Sequence, residues 1–154
     1  MSWLNGYGTI IVLLLLIPNI IFAATHRDGF ENRYQNKSIE MAEQIGRFGS
    51  FAFMVICPPF VCRGWWFEGA KTIYLITGVL LTSLYLIGWG VFWKEDTVRK
   101  SLVLSILPSL LFLESGILTM HFPLLLSTAL FAPCHIKMSY QNARLKNKAL
   151  EKIH

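Results

Sequence analysis

Glu114 stands alone as an acid in "PSLLFLESGILTMHFP", residues 108–123, a stretch that is otherwise almost entirely apolar. A carboxylate in hydrocarbon costs several kcal/mol unless it is protonated, paired or reached by water, so its surroundings have to supply one of those three. His121 follows seven residues later on the same helical face, about 10 Å away and joinable through water. An acid and an imidazole facing a cavity would suit the uptake of a proton or of a small cationic or polar ligand. Counting depth along antiparallel neighbours brings Thr77 and Tyr74, Ser127 and Thr128, and the break at Pro58 and Pro59 to the level of Glu114, with Lys71 reaching in from the interface on its long stem. Asn19 is a secondary polar position, more than ~10 Å too deep to pair with Glu114. The bland alternative keeps Glu114 protonated on a Ser or Thr hydroxyl as a register lock, with His121 capping a turn.

"CPPFVC" sets Cys57 and Cys62 five positions apart. On a regular helix that spacing means ~7.5 Å of rise and opposite faces, which forbids a disulfide; only an unwound Pro-Pro segment would permit one. The close Cys-x-x-Cys spacing of thiol oxidoreductases is absent. Cys134 with His135 is too small a cluster for a metal, and no metal, cofactor or catalytic signature occurs elsewhere. Nucleic acid is a poor partner for the net charge of +5, because the basic residues are scattered and accompany no recognition motif.

These groups need elements to hold them, and the composition says in which solvent. With 54% hydrophobic and only 15% charged residues, the chain is built for a bilayer. Five apolar runs, 5–24, 45–61, 70–93, 101–120 and 122–136, approach the ~20 residues that cross ~30 Å of hydrocarbon. The predicted fold is therefore all-α, a bundle of five transmembrane helices filling residues 1–136, followed by a basic cytoplasmic tail at 137–154.

Charge fixes the expected orientation. With the N-terminus outside, the inner segments carry Arg27, Arg33, Lys37, Arg47, Lys94, Arg99, Lys100, Lys137, Arg144, Lys146, Lys148 and Lys152, leaving only Arg63 and Lys71 of the 14 basic residues outside. Fusing the last two runs would demand ~35 apolar residues through "TMHFP" and would place the tail outside. Residues 1–8 contain no Lys or Arg to begin a secretory signal, so the first run reads as a retained helix.

In the first loop Asn36 is a plausible N-cap, Ile39, Ala42 and Ile45 fall at helical spacing, and Glu43 precedes Arg47 by four residues. This predicts a short interfacial helix turning into the second span, serving as an anchor or as a docking surface for a protein partner on the cytoplasmic side. Trp3, Tyr7, Trp65 and Trp66 at one boundary and Trp89 and Trp93 at the other read as interfacial anchors. Gly78 and Thr82 permit a close crossing of the third span, and Pro18 and Pro108 predict kinks that open a cavity between helices.

"LLLIPNIIFA" (residues 14–23) and "NKSIEMAEQIGRFGSFAFMVI" (residues 36–56) resemble the opening of a group of small multi-pass membrane proteins of Gram-positive bacteria that has no established function. The resemblance covers the first third of the chain, departs at "CPPF", and implies a bacterial cytoplasmic membrane without carrying over any site. The expected function is binding or transport, with Glu114 lining a cavity open to the outer leaflet. A structural or regulatory subunit docking through the loop and tail is one alternative, and a membrane-embedded lipid or thiol enzyme is another.

Overall fold

A computed structural model describes residues 3–26 and 32–151. Among them are five helices: α1 (Gly6–Thr25), α2 (Lys37–Val55), α3 (Ala70–Val91), α4 (Val98–Leu118) and α5 (Phe122–Glu151). Three of these, α1, α3 and α4, are long and apolar enough to cross a membrane. The other two carry charge inside the helix, α2 at Glu40, Glu43 and Arg47, and α5 through its second half.

Helix starts follow the capping chemistry. Asn5, Asn36 and Thr97 each accept a hydrogen bond from a backbone N–H of the first turn, those of Gly8, Ile39 and Lys100. His121 does the same for α5, its Nδ1 accepting from the N–H of Leu124 at 3.3 Å. The Asn36 cap agrees with the sequence reading, but the separate interfacial helix does not exist, because residues 37–44 are the opening turns of one uninterrupted α2.

The second run also ends earlier than 61. Residues that precede proline are pushed out of the α region, and with Pro58 and Pro59 ahead the helix stops at Val55. A turn follows in which the N–H groups of Val61 and Cys62 both donate to the Pro58 carbonyl. At the other boundary the chain breaks between α4 and α5 at Met120, whose φ of 48° lies in the left-handed region. Beyond that break α5 does not stop at 136, but continues as helix through Glu151.

In space the helices form a closed ring in the order α1, α2, α5, α4, α3, each packed on two neighbours, with a lighter contact between α2 and α4 across the middle. Chain neighbours are antiparallel, so the ring has two chemically distinct ends. At one end the Leu4 and Ile56 backbones pair, as do those of Cys62 and His121. Cys57 and Cys62 are bonded to each other here, which makes it the disulfide end. At the charged end α5 meets the connections before α2 and before α4, through Asn142 and Lys146.

The centre is held by Ile11, Leu15, Met54, Leu111, Phe112, Leu124 and Phe131. Phe112 stacks edge-on against Phe51 and Phe131, with ring centroids 5.6 and 5.8 Å away. The α2/α5 seam is close because Gly46 has no side chain; a Cβ there would lie 2.6 Å from the backbone nitrogen of Phe131. Gly78 similarly meets Tyr7 of α1, the close crossing expected of the third helix. Large apolar side chains such as Ile10, Ile17, Ile76, Ile87 and Leu126 point outward, as they do where lipid is the solvent.

Candidate functional site

A cavity of ≈ 660 Å³ opens inside the ring at the charged end, with lining contributed by all five helices. Its apolar wall includes Leu15, Phe22, Phe51, Leu104 and Phe112, and its polar wall includes Glu43, Arg47, Lys100 and His135. That volume falls within the range of small-molecule sites, and so does the pattern of a few converging polar groups on an apolar wall.

The polar wall begins with Glu43, only 1% exposed although it belongs to the charged part of α2. Its Oε1 accepts from Arg47 Nε at 2.9 Å, one turn along the same helix, and from the Nη2 of that guanidinium. From α5, His135 Nδ1 lies 2.8 Å from the same oxygen. A carboxylate oxygen accepts, so the His135 Nδ1 carries a proton and donates it to Glu43. Burial alone would push the Glu43 carboxyl upward, but the His135 hydrogen bond and the Arg47 guanidinium outweigh it and hold it below the ordinary carboxylate range. Phe131 stacks on the His135 ring with centroids 4.6 Å apart, fixing its plane.

Across the cavity Lys100 is 7% exposed. Its Nζ donates to the Glu95 carbonyl at 2.9 Å and sits 4.4 Å from the centre of the Phe22 ring and 5.6 Å from that of Trp89. Asn19 belongs to this wall as well; its Nδ2 donates to the Tyr85 hydroxyl at 2.6 Å and to the Leu15 carbonyl at 2.7 Å. Lys146 from α5 pairs with Asp96 at 2.6 Å beside the rim.

Glu114 and its expected neighbours occupy other places. Glu114 does not line this cavity. It is half-buried, its Oε1 is hydrogen-bonded to the Thr77 hydroxyl, and the Tyr74 phenol lies near enough to feel its charge. The same hydroxyl is 2.6 Å from the Ile73 carbonyl. One hydroxyl proton cannot serve two acceptors, so both contacts are met when Thr77 donates to Ile73 and a protonated Glu114 donates to Thr77.

His121 is turned elsewhere, with Nε2 3.1 Å from the Ile56 carbonyl and Nδ1 capping α5. Ser127 faces α2 at Gly49, and Lys71 is exposed at the start of α3. Trp89 is 4% exposed within the cavity wall, so it is interior rather than an interfacial anchor.

Cys57 and Cys62 are joined in a disulfide with Cα atoms 5.5 Å apart, which the unwound Pro-Pro turn allows. Their sulfurs and a ring nitrogen of His121 lie within 4.8 Å of one another, a metal-like grouping whose thiols are consumed by the bond between them.

Sequence reasoning paired Glu43 with Arg47 but missed its burial, and it dismissed His135 along with Cys134. The available signal was an acid at helical spacing from Gly46 and Ser50, the positions that face inward with it. No protein-family model, no curated protein and no solved structure matches this chain.

Proposed function

We propose that this chain is a small multi-pass membrane protein that binds, and participates in moving, a small amphipathic molecule. The molecule's apolar body occupies the cavity between Leu15, Phe51, Leu104 and Phe112, and its polar head meets the wall of Glu43, His135 and Lys100. The observation that carries this reading is the ≈ 660 Å³ cavity in which one buried ion-paired acid and one buried cation face a mostly apolar interior. In this reading all five helices cross or enter the bilayer with the N-terminus outside and the charged end in the cytoplasm, supported by the positive-inside bias. The membrane is then the bacterial cytoplasmic membrane, as the resemblance of the first third implies.

Native mass spectrometry of the detergent-extracted protein tests the assignment. The wild-type chain retains a small molecule that a cavity-filling Leu16→Trp variant loses and Glu114→Gln keeps. A ligand-free wild type, or equal retention by Leu16→Trp, removes the reading.

Glu114 supports a second reading, a proton site nearer the disulfide end. The Thr77 contact favours it, together with a buried Oε2 that has no hydrogen-bond partner among the described residues. Difference infrared spectroscopy of wild type against Glu114→Gln across pH checks it: a carboxyl band that titrates means water reaches the group, and a band that persists at every pH means a sealed structural bond.

A further inference from the structure

The Cys57–Cys62 bond spans only the turn after α2, so it ties no two distant elements together. Closing so short a loop also removes less entropy from the unfolded chain than a bond between distant elements would. A staple for the bundle would be placed differently.

Backbone contacts already hold both cysteines without the bond. The Cys57 N–H donates to the Trp3 carbonyl at 2.9 Å and the Cys62 N–H to the Pro58 carbonyl at 2.9 Å. Cys62 also pairs across to His121. The two sulfurs therefore stay close if the bond opens, and it can close again.

The two sulfurs differ in access. Cys62 is 3% exposed, whereas Cys57 is partly exposed beside the exposed Pro59 and Phe60. An incoming sulfur nucleophile therefore meets Cys57. The leaving sulfur would be Cys62, which lies against His121, the residue that caps α5. The Cys62 sulfur and a ring nitrogen of His121 lie within 4.8 Å of one another.

We propose that Cys57–Cys62 is an exchangeable disulfide that takes two electrons from a dithiol arriving at the disulfide end. In the first step one deprotonated thiol of the donor attacks Cys57 Sγ, the Cys57–Cys62 bond breaks, and Cys62 leaves as a thiolate that picks up a proton. In the second step the donor's other thiolate attacks the donor's own sulfur in the mixed disulfide. The donor's internal disulfide forms and Cys57 is released as a thiol. Two electrons and two protons pass from donor to protein.

Glutathione disulfide and dithiothreitol, applied to the full chain in nanodiscs, test this with thiols counted by maleimide gel shift. Dithiothreitol opens the wild-type bond without denaturant, and the melting temperature of the bundle barely moves. Cys62→Ala, left with the accessible thiol, forms a mixed disulfide with glutathione, and Cys57→Ala forms far less. Three results overturn the proposal: a bond that resists excess dithiothreitol until the protein unfolds, loss of the fold upon reduction, or equal glutathione adducts on the two single-cysteine variants. Should either variant misfold, the wild-type kinetics with dithiothreitol alone still decide.

Discussion

Two carboxyls are taken from water in this molecule, and they are accommodated in opposite ways. At the charged end Glu43 is buried as an ion, with a guanidinium on its own helix and an imidazole from α5 on the same oxygen. Toward the disulfide end Glu114 has a threonine hydroxyl that is already committed to a carbonyl, an arrangement satisfied by a proton on the acid. The difference shows that depth alone does not decide the state of a buried acid; the donors within reach decide it. Under the proposed function it also separates their uses, the paired ion fixing a recognition surface and the neutral acid holding or exchanging a proton.

Breaking the seam under Glu43 should have the largest effect. Gly46→Val forces a side chain into the backbone at Phe131, parts α2 from α5 and separates Glu43 from His135. We expect a loss of about 3 kcal/mol in a thermal or denaturant unfolding series, at the upper end of overpacking costs.

Removing a donor is next. Arg47→Ala leaves Glu43 with His135 alone and should cost about 2 kcal/mol, moderated because the Arg47 side chain is 40% exposed and partly screened.

Acid should reproduce part of that loss. The Glu43 carboxyl is held below its ordinary range in the fold, so its contribution is complete above the unfolded carboxylate value of ~4.3 and disappears as pH falls through the folded value. A melting temperature that declines below about pH 4 in wild type, and declines less in Glu43→Gln, is the expected record.

Glu114→Gln should have the smallest effect, under about 1 kcal/mol, because an amide replaces a neutral acid and can still donate to Thr77. A penalty there as large as that of Arg47→Ala would mean that Glu114 is charged and would collapse the contrast.

Much of the scaffold was legible in the sequence. An apolar run fell on every helix, Asn36 was read as a cap where α2 begins, and the paired prolines marked the only geometry in which Cys57 could reach Cys62, although the second run was carried past them to 61. The interior was far less legible. Apolar periodicity marked Ile39, Ala42 and Ile45 as one face of a short interfacial helix, and said nothing of the opposite face. Ile45 is 61% exposed, while the inward face runs Glu43, Gly46, Ser50, Met54. Against lipid the outside is apolar too, so small and polar residues mark the inside.

That inversion hid the cavity, buried Trp89 where an interfacial anchor was expected, and kept His135 out of account. Depth counting fared better for Glu114, finding Thr77. His121 follows the bland alternative of a cap, at the start of α5, and depth counting could not foresee that Ser127 would face α2.

The order of helices around the ring differs from their order along the chain, because α5, made after the other four described helices, sits between α2 and α4. During synthesis α2 is therefore complete long before its principal neighbour exists. Until residue 135 has left the ribosome, Glu43 has Arg47 as its partner on the finished part of the polar wall, and the glycine face of α2 has no α5 to rest on. Docking of α5 on α2 is thus a late event of assembly, and a chain interrupted before α5 would leave the Glu43 face of α2 uncovered.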